Sequence, residues 1–316
     1  MTEIKKRLLT GIQSSGTLHI GNYFGALKPF VDMYQGYDSV LMLADYHALT
    51  SLKDSAQLRQ NIIDVVKDYL AVGVDPDKCV LFRQSDNPDH TELAWILNCQ
   101  VTVPFLMQAH SYKDKVAKGL EPNAGLFTYP MLMAADILLY DTDVVPVGED
   151  QRQHLEYTRE AANKFNIAYG EGILKEPTEA ILKAVGVVPG TDGAKMSKSY
   201  GNTIPLFGTK EELTKAVMSI VTDSSGERPE NVYAIHALLK YEAELSLLYE
   251  EHKGKYKNLK DALVEDLEAF IAPMRERRNN ISDHDVQLVL TQGAEKAKAL
   301  SHQKMEQIRK AVGISL

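Results

Sequence analysis

Two short segments of this chain hold residue types suited to polyphosphate. The first runs Gly11-Ile12-Gln13-Ser14-Ser15-Gly16 and on through Thr17-Leu18-His19-Ile20-Gly21-Asn22. Arg7-Leu8-Leu9-Thr10-Gly11 reads as a short buried strand, and the spacing from His19 to about Gln35 reads as a helix. A polar glycine turn between strand and helix is where open α/β sheets bind ligands. The free N–H groups and positive dipole end of a helix favour an anion there. His19 and Asn22, three apart, can share one helical face and donate to phosphate oxygens, and Gly21 leaves room for a purine ring against the backbone. The Gly11–Gly16 spacing imitates a P-loop, but Thr17-Leu18 stands where that motif needs Lys-Ser/Thr. The second segment is Lys195-Met196-Ser197-Lys198-Ser199-Tyr200-Gly201-Asn202. Gly190, Gly193 and Gly201 predict a mobile loop. Its two lysines can set two compact charges on a pyrophosphate, with Ser197 and Ser199 adding hydroxyl donors. Such a loop stabilises charge as it develops on a leaving group.

The elements that must position these segments follow from apolar patterning. Ser39–Ala44, Cys79–Phe82 and Val144–Val147 read as further strands, with a helix from about Ser55 to Val72 between the first two. Strand–helix–strand order predicts a parallel, doubly wound, Rossmann-like α/β sheet covered on both faces. A mostly helical insertion is expected near 88–140. After Phe207 strands vanish, and helices are expected at 209–221, 231–251, 257–278 and 282–312. The expected division is therefore a catalytic domain over 1–207 and an α-helical domain over 208–316. A chain of 316 residues accommodates two such domains.

Composition excludes several classes. The net charge of −8 argues against a general nucleic-acid binder, although residues 252–316 carry 12 Lys/Arg against 9 Asp/Glu. Arg275, Arg277 and Arg278 are candidates for RNA contact on charge alone. Cys79 and Cys99 are the only cysteines, so zinc and iron–sulfur sites lack ligands. No apolar run approaches the ~20 residues of a membrane span, and the N-terminus lacks a signal peptide's apolar core, so a cytoplasmic protein is expected.

The two segments, in this order, resemble the HIGH and KMSKS motifs of class I aminoacyl-tRNA synthetases, and three blocks narrow the resemblance to the tryptophanyl-tRNA synthetase family. These are the opening Gly11–Gly16 with His19–Asn22, the helix Tyr129-Pro130-Met131-Leu132-Met133-Ala134-Ala135-Asp136-Ile137-Leu138, and the loop Val145-Pro146-Val147-Gly148-Glu149-Asp150-Gln151. Ser14 departs from the family's frequent Pro, and Asn22 replaces the second histidine of HIGH. The resemblance implies that His19, Asn22, Lys195 and Lys198 are catalytic. It assigns ATP to Gln13, Ser14, Ser15, Gly21, Asn22, Lys113, Gly148, Glu149, Asp150, Val187 or Val188, and the segment Lys195, Met196, Ser197, Lys198 and Ser199. Within that set, the backbone of Gly21, Val187 or Val188, and Met196 would meet adenine. It assigns tryptophan to Leu9, His47, Tyr129, Met133, Asp136, Val145, Val147 and Gln151. Chemistry agrees at one point: the indole N–H is a donor with no acceptor capacity, and Asp136 in an apolar helix is an acceptor for it.

The implied reaction joins tryptophan to the α-phosphate of ATP, then passes it to tRNA(Trp). The attacking carboxylate is already ionised at pH 7, so no general base is needed. Mg²⁺ would bridge phosphate oxygens and keep mostly water ligands, so no protein metal cage is expected. The resemblance also implies a homodimer whose helical domain reads the anticodon. Tyrosyl-tRNA synthetase is the near alternative, although its substrate loop usually reads Gly-Ser-Asp-Gln. A cofactor-building nucleotidyltransferase is a more distant one, because such enzymes generally lack the lysine–serine loop.

Overall fold

The computed structural model describes residues 5–13, 16, 18–109, 112, 119, 121–147, 152–181, 188–222 and 228–315. Five strands form one parallel sheet: β1 (Arg7–Ile12), β2 (Asp38–Leu43), β3 (Cys79–Arg83), β4 (Val144–Val147) and β5 (Thr178–Ile181). Their order is β3-β2-β1-β4-β5. The chain first winds outward from β1 to β3, then returns to place β4 on the other side of β1. Such a reversal is where open α/β sheets bind ligands, and the first glycine segment begins there, at the carboxyl end of β1. β2 alternates faces: Val40 and Met42 join one core, Leu41 and Leu43 the other. β5 escaped the sequence reading, because Thr178-Glu179-Ala180-Ile181 is an edge strand with little apolar signal.

The helices in chain order are α1 (Ile20–Asn22), α2 (Lys28–Met33), α3 (Asp45–Ala48), α4 (Ser55–Ala71), α5 (Asp89–Asn98), α6 (Val103–Leu106), α7 (Ala124–Leu138), α8 (Arg152–Tyr169), α9 (Lys210–Met218), α10 (Glu230–His236), α11 (Glu242–Glu251), α12 (Tyr256–Asn280) and α13 (Asp283–Val312). The helix expected from His19 to Gln35 is not uniform. A π turn, Tyr23–Leu27, joins α1 to α2, and the Lys28 N–H bonds the Tyr23 carbonyl. Pro29 follows at once and has no N–H to continue an α ladder. The helix expected over 231–251 divides into α10 and α11.

α9, α10 and α12 share an apolar cluster with Ile20, Phe24, Val188 and Met196. α13 goes elsewhere. It gives Val286 and Leu290 to the core on one face of the sheet, and Ala294, Ala297, Met305 and Ile308 to the core on the other. It thereby passes along β3, and a side chain at Gly293 would collide with the Leu81 carbonyl. Among the described residues no helix is long and apolar enough to cross a membrane.

Candidate active site

The first phosphate segment is built on a helix cap. His19 Nδ1 accepts the Asn22 N–H at 3.3 Å, and Asn22 Oδ1 accepts the His19 N–H at 3.2 Å. A nitrogen that accepts carries no proton, so the neutral ring holds its hydrogen on Nε2. Burial lowers the His19 pKa to about 4, and the nearby Lys198 ammonium adds to the effect. His19 is therefore a neutral donor at pH 7, with Nε2 and the Asn22 amide nitrogen left for a ligand.

The second segment lies against the first. A Cβ at Gly21 would sit 2.9 Å from His19 Nδ1 and 3.1 Å from Met196 Cβ. Gly16 has φ +55°, and a Cβ there would lie 3.3 Å from Lys198 Nζ. The backbone is laced alongside: the Ile20 N–H bonds the Ile204 carbonyl and the Leu206 N–H bonds the Leu18 carbonyl, both at 3.0 Å. The lysine loop is itself ordered by Asn202, which is buried. Asn202 Oδ1 accepts the Ser197 N–H at 2.8 Å, and its Nδ2 donates to Asp192 Oδ1 at 2.7 Å and to the Lys195 carbonyl at 3.2 Å. Gly190 packs tightly on that amide, so its role is close packing rather than the mobility expected of it. Met196 is buried beside Ile20 and Val188, while Lys195, Lys198 and Ser199 stand exposed. The Ser197 and Ser199 hydroxyls pair at 2.9 Å. The Met196 N–H, expected near adenine, is taken by the Val188 carbonyl at 3.0 Å.

The tryptophan-side residues gather around α7. Asp136 is buried, with Oδ2 2.8 Å from His47 Nε2 and Oδ1 2.7 Å from both His90 Nδ1 and Gln84 Nε2. Burial opposes ionisation, but the hydrogen bonds from His47 and His90 outweigh it and hold the carboxyl at about 2. Tyr129 meets His47 edge-on at 6.1 Å and pairs its hydroxyl with His154 Nε2 at 3.3 Å. Leu9, Val145 and Met131 lie within the sheet core, and Met133 sits at its margin. Gln84, His90, Tyr140 and His154 were missed by the sequence reading. His90 could have been found, since it sits with Leu93, Ala94 and Leu97 on the buried face of α5.

Gln13 follows the end of β1 and is exposed. Ser14, Ser15, Lys113, Gly148, Glu149, Asp150, Gln151 and Val187, and the side chain of Val147, lie outside the described residues. The arginines chosen on charge each have partners within the chain. Arg275 binds the Gly208 carbonyl and Glu268, Arg277 binds the Ala71 carbonyl, and Arg278 binds Asp64 and Asp68. Arg277 nonetheless remains exposed.

Residues 2–287 match the family described as tRNA synthetases class I (W and Y). The chain is 48% identical to a tryptophan–tRNA ligase of Fusobacterium nucleatum subsp. nucleatum, over 98% of each. Its fold superposes on tryptophanyl-tRNA synthetase from Campylobacter jejuni, solved with ADP and tryptophan, with a TM-score of 0.93 and 43% identity over 97% of this chain and 99% of that one. The Mycoplasma pneumoniae tryptophanyl-tRNA synthetase structure gives 0.83 and 32% over 99% of each. The sheet reversing at β1 and the helices around it thus superpose on named relatives along nearly the whole length: the chain belongs to the class I tRNA synthetases (W and Y), among the tryptophan–tRNA ligases.

Proposed function

We propose that the chain activates L-tryptophan with ATP and transfers the tryptophanyl group to tRNA(Trp). One observation carries the reading: Gly21 abuts Met196 while Lys198 Nζ lies beside Gly16, so two segments distant in sequence form one polyphosphate cradle. In the first step a carboxylate oxygen of tryptophan bonds to the α-phosphorus, the α–β bridging bond breaks, and pyrophosphate leaves with that electron pair. No proton moves, which agrees with a neutral His19 that donates from Nε2 and has no base to assist. Lys195 and Lys198 take the growing charge on the leaving group. Magnesium arrives with ATP as part of the substrate, on the phosphate oxygens. Gln13, Ser14, Ser15, Lys113, Gly148, Glu149, Asp150 and Val187 or Val188 complete the nucleotide site in this reading. Leu9, His47, Tyr129, Met133, Asp136, Val145, Val147 and Gln151 surround the amino acid, with Asp136 accepting the indole N–H.

The helices after residue 208 are proposed to contact tRNA, and the place of action is the cytoplasm, where tRNA is charged. A second copy of the chain is proposed to cover Trp95, Val103 and Met107, large apolar residues exposed on α5, on α6 and at the C-cap of α6. ATP–pyrophosphate exchange with each of the twenty amino acids tests the reading, followed by charging of tRNA(Trp). Exchange with tryptophan alone is expected. Exchange driven by tyrosine, or none with any amino acid, would overturn it.

A further inference from the structure

Asp136 accepts three side-chain donors, and their arrangement is determined by hydrogen counting. Gln84 Oε1 accepts the Tyr46 N–H at 3.1 Å, so its nitrogen must be the atom that faces Asp136 Oδ1. His90 Nδ1 meets the same oxygen at 2.7 Å, which saturates Oδ1. Among the described residues Oδ2 holds only the His47 contact, which leaves it one acceptor position. A carboxylate only accepts, so His90 donates from Nδ1. In the neutral ring Nε2 then accepts the Tyr140 O–H at 2.8 Å. The Tyr140 oxygen receives Asn87 Nδ2 at 3.0 Å, and the same amide nitrogen reaches Ser301 Oγ at 3.0 Å. Ser301 donates to Asp89 Oδ2 at 2.6 Å, and Arg309 Nη2 holds Asp89 Oδ1 at 3.1 Å. His90, Tyr140, Asn87 and Ser301 are all buried. The Ser301 hydroxyl has a second, longer acceptor in the Lys298 carbonyl at 3.2 Å, and the shorter contacts link His90 to Arg309 in one continuous relay.

We propose that His90 is a positioning residue for amino-acid selection: it fixes the Asp136 carboxylate so that Oδ2 faces the substrate's indole N–H, and the Tyr140–Asn87–Ser301 relay braces it from α13. This rests on the reading of Asp136 as the indole acceptor. His90 touches no substrate atom and acts through the orientation of Asp136. Its removal therefore weakens discrimination for the N–H without slowing the chemical step.

The probe is a tryptophan analogue with sulfur in place of the ring N–H, β-(benzothiophen-3-yl)alanine, compared with tryptophan in ATP–pyrophosphate exchange by the full chain. His90→Leu is expected to raise the tryptophan KM about tenfold, equivalent to the loss of one good hydrogen bond. The kcat should hold, and the preference over the sulfur analogue should shrink by a similar factor. His90→Asn places an amide nitrogen where Nδ1 stood and is expected to restore most of the preference. Tyr140→Phe, which removes only the brace, should give a smaller loss. Thermal unfolding of each variant reports whether it is folded, and the Asn and Phe variants carry the test if the Leu variant is not. If Asp136→Ala abolishes the preference but His90→Leu and Tyr140→Phe retain it, the positioning role is wrong while the acceptor reading stands. If Asp136→Ala itself retains the preference, the acceptor reading fails and the role of His90 with it. A fall in kcat at unchanged preference would make His90 a structural residue only, and would also overturn the proposal.

Discussion

Arg278→Met offers a quantitative test of how the helical part of the chain is fastened to the sheet domain. Asp68 on α4 is fully buried, with Oδ1 2.5 Å from Arg278 Nε on α12 and Oδ2 without a hydrogen-bond partner. Burial raises its pKa to about 6, although Arg278 and, more weakly, Lys198 pull it down. In the unfolded chain an aspartate titrates near ~3.9. The folded state therefore holds this proton more tightly, and above pH 6 the buried carboxylate counts against stability. That cost is relieved as pH falls through 6 toward the unfolded value.

Methionine keeps a long apolar stem over Phe207, where the guanidinium now lies 5.4 Å from the ring centroid, but it removes the positive charge. Asp68 then rises further and takes a proton at neutral pH. Protonation limits the damage. At pH 7 the parent is about one unit above the Asp68 pKa, so the variant loses only about 1.4 kcal/mol through this group. A buried pair with no such escape costs ~3–5 kcal/mol when one partner is removed. The difference should grow by about 1.4 kcal/mol per pH unit above 7 and approach zero at pH 5, where both proteins carry a protonated Asp68. Urea unfolding of parent and variant at pH 5, 6, 7 and 8 measures it. Adding Asp68→Asn to the variant should flatten the profile. A stability difference independent of pH, or one that grows toward acid, would refute the reasoning.

Two further outcomes follow from the phosphate cradle. Lys195→Ala, at an exposed position, should leave stability within about 0.5 kcal/mol and tryptophan binding by calorimetry intact, while exchange falls ~100-fold or more; unchanged exchange would remove Lys195 from the mechanism. Gly21→Ala sets a methyl 2.9 Å from His19 Nδ1 and 3.1 Å from Met196 Cβ, so the two segments must part. About 1–3 kcal/mol of overpacking should appear in thermal unfolding, together with a raised KM for ATP, and an unaltered KM would show that this contact does not position the phosphate groups.

Most of the sheet was legible because β1 to β4 are continuous apolar runs, the pattern of strands buried on both faces. β5 was not, because it closes the β4 edge with Thr178 and Glu179 exposed. The phosphate segments were legible as residue types and as an order. Their contact was not, because neither the Gly21–Met196 approach nor the Asn202 hydrogen bonds leave a periodic trace. Helical spacing showed that α13 has an apolar face, but not that this face is divided between the two cores of the sheet. Nor could charge show what Arg275, Arg277 and Arg278 touch, for a related reason. A cation's partner is set by tertiary packing, and here Asp64, Asp68, Glu268 and two backbone carbonyls occupy those guanidinium groups. Tyr140 was invisible on the same grounds and His90 showed only its place on a buried helix face, since a polar residue there declares a network only once its partners are known.

The packing also explains why an apolar residue stands between the two lysines of the loop. Met196 shares one cluster with Ile20 and Val188 and with Leu213, Val217, Leu263, Leu267 and Ile271 of the helical part. Its N–H is bonded to Val188, and its side chain lies against the glycine that adjoins His19. Lys195 and Lys198 are thus carried at the surface on a point anchored in the interior. The anchor belongs to a core built jointly by the first motif's helix and by α9 and α12. Any displacement of α12 relative to α4 must therefore strain either the Arg278–Asp68 tie or the seat of Met196. The position of the two lysines is consequently coupled, through ordinary apolar contacts, to the helices at the far end of the chain.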